Sequence, residues 1–265
     1  MSGSLGLPAG VRRLLAPNPS SMTGQGTNSY LVGEREVAVV DPGPESAAHV
    51  AALLTALPAG GRVAAILVTH GHGDHTGAVA GLKARTGAPV LGHADLPGVD
   101  RPLGDGERLT VDGRELAVLG TPGHAEDHLC FWLSDARALF AGDLVAGVGT
   151  VVLSELPGTL GRYLASLQKL LALGPFTLLP GHGPAVPDGP AKVREYLAHR
   201  ATREAQIVAA LADGPATVEA LVARIYRDTP TSLHAMAARN VRAHLELLEA
   251  KGQVQVTDGL WALLR

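Results

Sequence analysis

Residues 68–77 constrain this chain more than any other stretch, because they place four potential metal ligands at the end of one strand. The stretch reads VTHGHGDHTG and follows a short apolar run, residues 63–69, which is typical of a buried β-strand. The ligand-type residues are His70, His72, Asp74 and His75. Imidazole and carboxylate without thiolate suit zinc, iron or manganese. A glycine-rich loop with chance histidines is the alternative, but four such residues in six positions favour part of two metal sites.

The spacing H-x-H-x-D-H at residues 70–75 resembles the signature of the metallo-β-lactamase fold hydrolases. That superfamily completes its two metal sites with a later His, a later Asp and a final His, each at a strand end. The chain has all three in matching contexts, TPGHAEDH, LFAGDLV and TLLPGHGP, along most of residues 10–190. The resemblance implies the αββα sandwich of that fold. The strand, helix, strand spacing of residues 36–69 independently predicts an α/β architecture.

The resemblance also implies a ligand set. One metal would be held by His70, His72 and His124, the other by Asp74, His75 and His182, with Asp143 bridging the two. The implied cofactor is two Zn²⁺ per chain, with manganese or iron as alternatives. The implied reaction is hydrolysis by a hydroxide that bridges the metals, with Asp74 and Asp143 as the catalytic carboxylates.

Three further residues carry expectations near this site. Asp41, in the motif DPG, is expected to orient a ligating imidazole by hydrogen bonding, although a simple turn aspartate before Pro42 would have the same sequence. His128 lies four residues after His124, and the family often has a histidine there that is not a ligand. We expect His128 and His93 to support the site or the fold, and a catalytic role remains the alternative.

The chain changes character near residue 190, which divides it into a hydrolase domain, residues 1–190, and a smaller domain, residues 191–265. The second part has helical patterns at residues 191–212, 218–226 and 233–248, followed by a hairpin signal at Asp258–Gly259. Three helices and a β-hairpin form the winged-helix pattern. This arrangement, together with the opening SSMTGQGTNSYLVG, is similar to the β-lactamase-like protein 2 family, whose members include an endoribonuclease that acts on single-stranded RNA.

Bulk composition excludes little. The formal net charge is −3, and residues 200–265 carry eight Arg or Lys against seven Asp or Glu, so composition indicates no phosphate-binding face. The lone Cys130 cannot form an internal disulfide, and neither a signal peptide nor a membrane span is evident, so we expect a cytoplasmic protein without membrane partners. The oligomeric state is left open.

The leading functional hypothesis is hydrolysis of phosphodiesters in single-stranded RNA. A thioesterase, either hydroxyacylglutathione hydrolase-like or acting on acyl-carrier thioesters, is the alternative. A β-lactamase is disfavoured because those enzymes generally have Cys or Ser in place of the bridging Asp143. A non-enzymatic winged-helix nucleic-acid binder is disfavoured by the complete ligand set. Some arginines of the C-terminal region could face the cleft and grip phosphate, namely Arg194, Arg200, Arg203, Arg239 and Arg242.

Overall fold

The structure is a computed structural model that describes residues 6–264. The outer ends of the two predicted domains, residues 1–5 and residue 265, lie outside this range. The first sheet has six strands in the order β1–β2–β3–β4–β5–β6, antiparallel from β1 to β3 and parallel from β3 to β6. Its strands are β1 (Val11–Leu15), β2 (Asn28–Val32), β3 (Glu36–Val40), β4 (Arg62–Leu67), β5 (Val90–Gly92) and β6 (Arg101–Pro102).

The second sheet has five strands in the order β11–β10–β9–β8–β7, and only its β10–β11 pair is parallel. The strands are β7 (Arg108–Val111), β8 (Arg114–Gly120), β9 (Leu129–Leu133), β10 (Ala138–Gly142) and β11 (Thr177–Pro180). The Asp-Gly pair at residues 112 and 113 predicts a hairpin, which the structure has between β7 and β8; the φ values of 52° and 76° are those of a type I′ turn. The Asp112 carboxylate also accepts backbone N–H bonds from Glu34 and Glu36 and so ties this turn to the first sheet.

Three apolar clusters define four layers. One lies between the two sheets and includes Val40, Leu67, Phe131 and Phe140. A second fills the space between the first sheet and helices α1 (Ala47–Thr55) and α3 (Val79–Thr86), and a third joins the second sheet to helix α4 (Thr159–Leu171). The predicted αββα sandwich is therefore confirmed.

The chain between the metal-site strand and α3 differs from expectation. The sequence predicts one helix over residues 76–85 with Thr76 as its N-cap. Thr76 instead ends the short helix α2 (Gly73–Thr76), where its Oγ1 donates to the carbonyl of His72, and α3 begins at Val79. The short helix α2 contains Asp74 and His75.

The C-terminal region contains α5 (Gly189–Ala212), α6 (Val218–Ile225), a 3₁₀ turn (Thr231–Leu233), α7 (His234–Ala250) and the hairpin β12 (Val254–Thr257) and β13 (Leu260–Leu263). The winged-helix pattern is thus confirmed. The sequence offers Thr231 or Ser232 as the N-cap of the third helix, but both lie in the 3₁₀ turn and do not cap α7.

Helix α5 joins the two cores. Its first half places Val193 and Tyr196 in the cluster around α4, and its second half places Ile207 and Leu211 in the winged-helix core. Residue 190 lies in the first turn of this continuous helix, and the domain boundary at that residue stays a prediction. Across residues 6–264, no helix combines the length and the apolar character that crossing a bilayer requires.

Candidate metal centre

The seven expected ligands come from the ends of strands in both sheets. His70 and His72 follow β4, Asp74 and His75 lie in α2, and the others follow β8, β10 and β11. The structure brings all seven together at the edge where the sheets meet. Their donor atoms form two groups, and within each group all donor atoms lie within 4.8 Å of one another. The first group is His70, His72, His124 and Asp143, and the second is Asp74, His75 and His182.

The first group is a convergence of three imidazole nitrogens. His70 Nε2 lies 2.9 Å from His72 Nδ1, and His124 Nε2 lies 3.0 Å from the same atom. Burial and the neighbouring His75 lower the pKa of His70 well below its ordinary value, and burial also lowers that of His124. The imidazoles of His70 and His124 are therefore held neutral, which is the form that ligates metal.

The second group combines carboxylate and imidazole. Asp74 Oδ2 lies 3.4 Å from His75 Nε2 and 3.2 Å from His182 Nε2. Asp143 reaches both groups, because its Oδ1 lies 3.4 Å from His75 Nε2 while its Oδ2 lies 3.2 Å from His182 Nε2 and 3.7 Å from His124 Nε2. This geometry suits the bridging position expected for Asp143.

The carboxylates of the centre favour positive charge on two of its histidines. Burial disfavours the imidazolium of His182, but its hydrogen bonds with Asp143 and Asp74 outweigh burial and raise its pKa to about 9. Burial likewise opposes protonation of His75, yet the carboxylates of Asp143 and Asp41 raise its pKa well above the ordinary value. Buried His75 Nε2 and Asp143 Oδ1 have no hydrogen-bond partner in the described part of the chain. These residues fit divalent metal ions, which would satisfy the two atoms and displace the protons.

Asp41 orients two of the histidines. Its Oδ2 accepts from His75 Nδ1 and from Thr69 Oγ1, both at 2.8 Å, and its Oδ1 accepts from the Thr69 N–H at 2.8 Å. Thr69 Oγ1 in turn lies 3.0 Å from His70 Nδ1. With Nδ1–H donating, His75 and His70 both present a free Nε2 to the centre. Asp41 is buried, with a φ of 50°, so it does more than form an exposed turn before Pro42.

The other two histidines with expected supporting roles differ from each other. His128 is buried, lies 2.9 Å from Thr121 Oγ1 through Nδ1, and accepts the N–H of Asp143 at Nε2 over 3.2 Å. It therefore holds the backbone of the candidate ligand Asp143. His93 is partly exposed and contacts Asp95, and its side chain is not among those that contact the seven ligands.

Sequence reasoning missed three contacts to the ligands. Thr27 Oγ1 donates to Asp74 Oδ2 over 2.8 Å, His124 Nδ1 donates to the carbonyl of Val152 over 2.8 Å, and His182 Nδ1 contacts the carbonyl of Gly26 at 3.3 Å. Only Thr27 had a signal, because it opens the polar triplet Thr-Asn-Ser before the apolar end of β2. The two carbonyl contacts have none, since any residue supplies a carbonyl.

Gly181 leaves the room that the centre needs. A Cβ at this position would lie 2.5 Å from Asp143 Oδ1 and 2.7 Å from His75 Cε1. Only glycine lets the chain after β11 approach the ligands this closely.

An open cleft of 420 Å³ lies over His72 and His124 and is bordered by the acidic Asp95, Glu126 and Asp127. Ser154 and Leu156 line both this cleft and a neighbouring groove of 320 Å³ beside α7, so the two cavities adjoin. The groove has alanines and Leu156 for its apolar part, while Arg239, Arg242, Glu155 and Glu246 supply its charges.

The five arginines proposed for phosphate do not act as a set. Arg239 and Arg242 line the groove, where Arg239 pairs with Glu155. Arg200 is buried, and Arg203 stacks 4.2 Å from the Tyr226 ring and lines neither cavity. Arg194 is exposed and lines neither cavity.

Comparison with known proteins places this architecture in context. The sequence profile of the metallo-beta-lactamase superfamily matches residues 22–182, and that of the beta-lactamase associated winged helix domain matches residues 217–261. The chain is 34% identical to a beta-lactamase-like protein 2 homolog of Caenorhabditis elegans over 92% of its length and 86% of the relative's.

Solved structures agree with the profiles. A metallo-beta-lactamase family protein from Thermus thermophilus is similar over 96% of this chain and 99% of its own, with 27% identity and a TM-score of 0.79. A second structure, of TTHA1623 in a di-iron-bound form, covers 65% of this chain and 96% of its own, with 32% identity and a TM-score of 0.52. The chain belongs to the metallo-β-lactamase superfamily.

Proposed function

We propose that this member of the metallo-β-lactamase superfamily, a hydrolase by family and with a candidate metal centre, cleaves phosphodiesters in single-stranded RNA. The observation that carries the proposal is the groove beside α7. It adjoins the cleft over the candidate metal ligands, and the two arginines in it belong to the winged-helix region. A substrate long enough to fill both cavities is extended, as a single strand is, and arginine binds phosphate oxygens well.

The proposed reaction uses the side chains already described. The seven ligands would hold two divalent ions, which supply Lewis acidity and bring the pKa of bound water near neutrality. Asp41 and Thr69 keep two imidazoles in the ligating tautomer, and Thr27 orients the Asp74 carboxylate. Cys130 cannot serve as a nucleophile, because it is fully buried and burial raises its pKa to about 12.

Charges around the cleft set the direction of an RNA strand. Asp95 and Asp127 border the cleft beside His72, whereas Arg162 pairs with Glu126 at 2.8 Å and offsets its charge. A polyanion is therefore repelled at the side of Asp95 and Asp127 and attracted toward Arg242 on α7. We expect the strand to leave the centre across Ser154 and Leu156.

The same surroundings favour one other substrate class. The apolar part of the groove, which includes Ala235, Ala238 and Leu156, suits the acyl chain of a thioester. The acidic border of the cleft disfavours a polyanion but not an uncharged thioester group. Hydrolysis of acyl thioesters is therefore the second candidate function.

The test compares both reactions with metal-loaded protein at several salt concentrations. RNA cleavage should weaken with salt. For single strands, the logarithm of the RNA-binding constant falls linearly with the logarithm of the salt concentration, and each phosphate that the protein neutralises adds about 0.7 to the slope. Arg239→Ala combined with Arg242→Ala should reduce RNA affinity and the salt slope. The matched control, Arg194→Ala with Arg227→Ala, removes two exposed arginines that line neither cavity and should change neither. Efficient thioester turnover with RNA left intact at low salt would refute the nuclease and support the thioesterase.

A further inference from the structure

The segment that follows β10 contains one candidate ligand and contacts two others. It begins at Asp143 itself, the N–H of Gly147 donates to the carbonyl of His182 over 2.8 Å, and the carbonyl of Val152 accepts from His124 Nδ1 over 2.8 Å. No regular secondary structure covers residues 143–158. Its buried apolar side chains, which include Val145 and Leu153, and hydrogen bonds such as that from the N–H of Ser154 to the carbonyl of Gly123 hold the segment in place.

Helix α5 holds this segment at two points. Tyr196 Oη accepts the N–H of Ala146 at 3.1 Å. One turn later, Arg200 Nη2 donates to the carbonyl of Val151 over 2.8 Å, while its Nη1 donates to Asn240 Oδ1 on α7 over 3.1 Å. Arg200 is only 2% exposed, so these bonds form away from bulk water.

We propose that Arg200 is a positioning residue for the metal ligand His124. The carbonyls of Val151 and Val152 belong to consecutive peptide units, so fixing the first restricts the orientation of the second. The Val152 carbonyl holds the Nδ1–H of His124 and leaves Nε2 to face His72. Release of Val151 would let the Val152 carbonyl turn away, and His124 would lose the partner that sets its tautomer and ring angle.

Burial of the charge supports a directed role. A guanidinium placed in a core costs more than an apolar side chain of similar volume, so packing alone would be served better by leucine or methionine. The Arg200 guanidinium lies 5.2 Å from the ring of Tyr163, whose hydroxyl donates to the carbonyl of Leu144 directly after Asp143. Tyr163 and Arg200 together thus support the segment at its start, Leu144, and at its middle, Val151.

The inference concerns the metal centre and holds whichever substrate is cleaved. It also gives the C-terminal helices a role in the centre although they supply none of the seven candidate ligands, since Arg200 and Asn240 both lie on them.

The experiment measures metal binding of the full chain. Arg200→Met removes the donors and keeps much of the volume, whereas Arg200→Lys keeps the charge and a single donor nitrogen. The matched control is Arg203→Met, which loses the stacking on Tyr226 in the winged-helix core without touching residues 143–152. Co²⁺ affinity is measured by chelator competition, the ligand field by visible absorption of the Co²⁺-loaded protein, and fold stability by thermal melting followed with circular dichroism.

We expect Arg200→Met to lose about 10-fold to 100-fold in affinity at one of two Co²⁺ sites and to alter the visible spectrum, with partial recovery in Arg200→Lys. Arg203→Met should lower the melting temperature and leave both readouts unchanged. If Arg200→Met does not fold, Asn240→Leu tests the same point, because it removes one hydrogen bond that orients the guanidinium and should weaken one site to a smaller degree. The proposal is overturned if folded Arg200→Met binds Co²⁺ with wild-type affinities and has the wild-type spectrum. Where Arg200→Met does not fold, the same result in Asn240→Leu overturns it.

Discussion

Asp41→Asn replaces one carboxylate oxygen with an NH₂ group and should weaken the candidate metal site that contains His75. Asparagine tolerates positive φ about as well as aspartate, so the backbone at 50° is not the target. Both carboxylate oxygens of Asp41 act only as acceptors, taking three hydrogen bonds at 2.8 Å. An amide can supply an acceptor at only one of the two positions.

Each orientation of the amide fails at a different contact. If its oxygen accepts from the N–H of Thr69, its NH₂ group faces His75 Nδ1 and forces the proton of His75 onto Nε2, the atom that faces the centre. If its oxygen takes the other position, the NH₂ group opposes the N–H of Thr69, and a buried donor left unsatisfied costs about 1–3 kcal/mol. The first orientation should cost about 10-fold to 100-fold in metal affinity, which is about 1.4–2.8 kcal/mol.

The assay is competition with a chelator of known affinity, together with the free energy of unfolding from urea titration of the metal-free protein. Asp112→Asn is the matched control, because Asp112 also has positive φ and accepts backbone N–H bonds, but in an exposed turn. It should affect stability and leave metal binding unchanged. Asp41→Asn with both metals held at wild-type affinity and with unchanged stability would refute the hydrogen-bond reasoning.

Other perturbations test separate parts of the structure. Chelation should abolish hydrolysis. Asp143→Ala should lower the occupancy of both metals by elemental analysis, whereas His70→Ala should chiefly lower one; equal loss in both variants would contradict the bridging position of Asp143. Gly181→Ala should also lose metal, because its Cβ would meet Asp143 Oδ1 at 2.5 Å. Normal metal content in this variant would show that the neighbouring side chains can shift to accommodate the Cβ. Burial and the nearby charge of Arg200 lower the pKa of His244 from 6.5 to about 3, so the unfolded chain takes up a proton there that the folded chain does not. This residue should therefore cost about 2 kcal/mol of folding free energy at pH 5 relative to pH 7, and His244→Leu should flatten the difference in urea titrations.

The cluster of candidate ligands at residues 70–75 could be predicted because it stands at the end of an apolar run, whereas His124, Asp143 and His182 were predicted from the resemblance to the metallo-β-lactamase fold hydrolases. A strand of this kind shows in the sequence through its apolar, β-branched residues, and its end identifies where side chains can converge. Thr27 could not be connected to Asp74 in this way, because 47 residues separate them and only folding brings them together. Arg200 was misjudged because a charged residue in a helix has the same sequence pattern whether it faces water or a backbone carbonyl. Thr76 was misjudged because a residue that can begin one helix can also end another.

Helix α5 has a consequence for engineering the two halves of the chain. At about 1.5 Å per residue its 24 residues form a rod of roughly 36 Å, with no flexible linker between the two cores. One residue inserted at its middle would rotate everything downstream by about 100° and advance it by about 1.5 Å. A chimera that grafts a different winged helix onto this hydrolase must therefore conserve the helical phase between Tyr196 and Ile207, whereas a surface loop would accept insertions of many lengths.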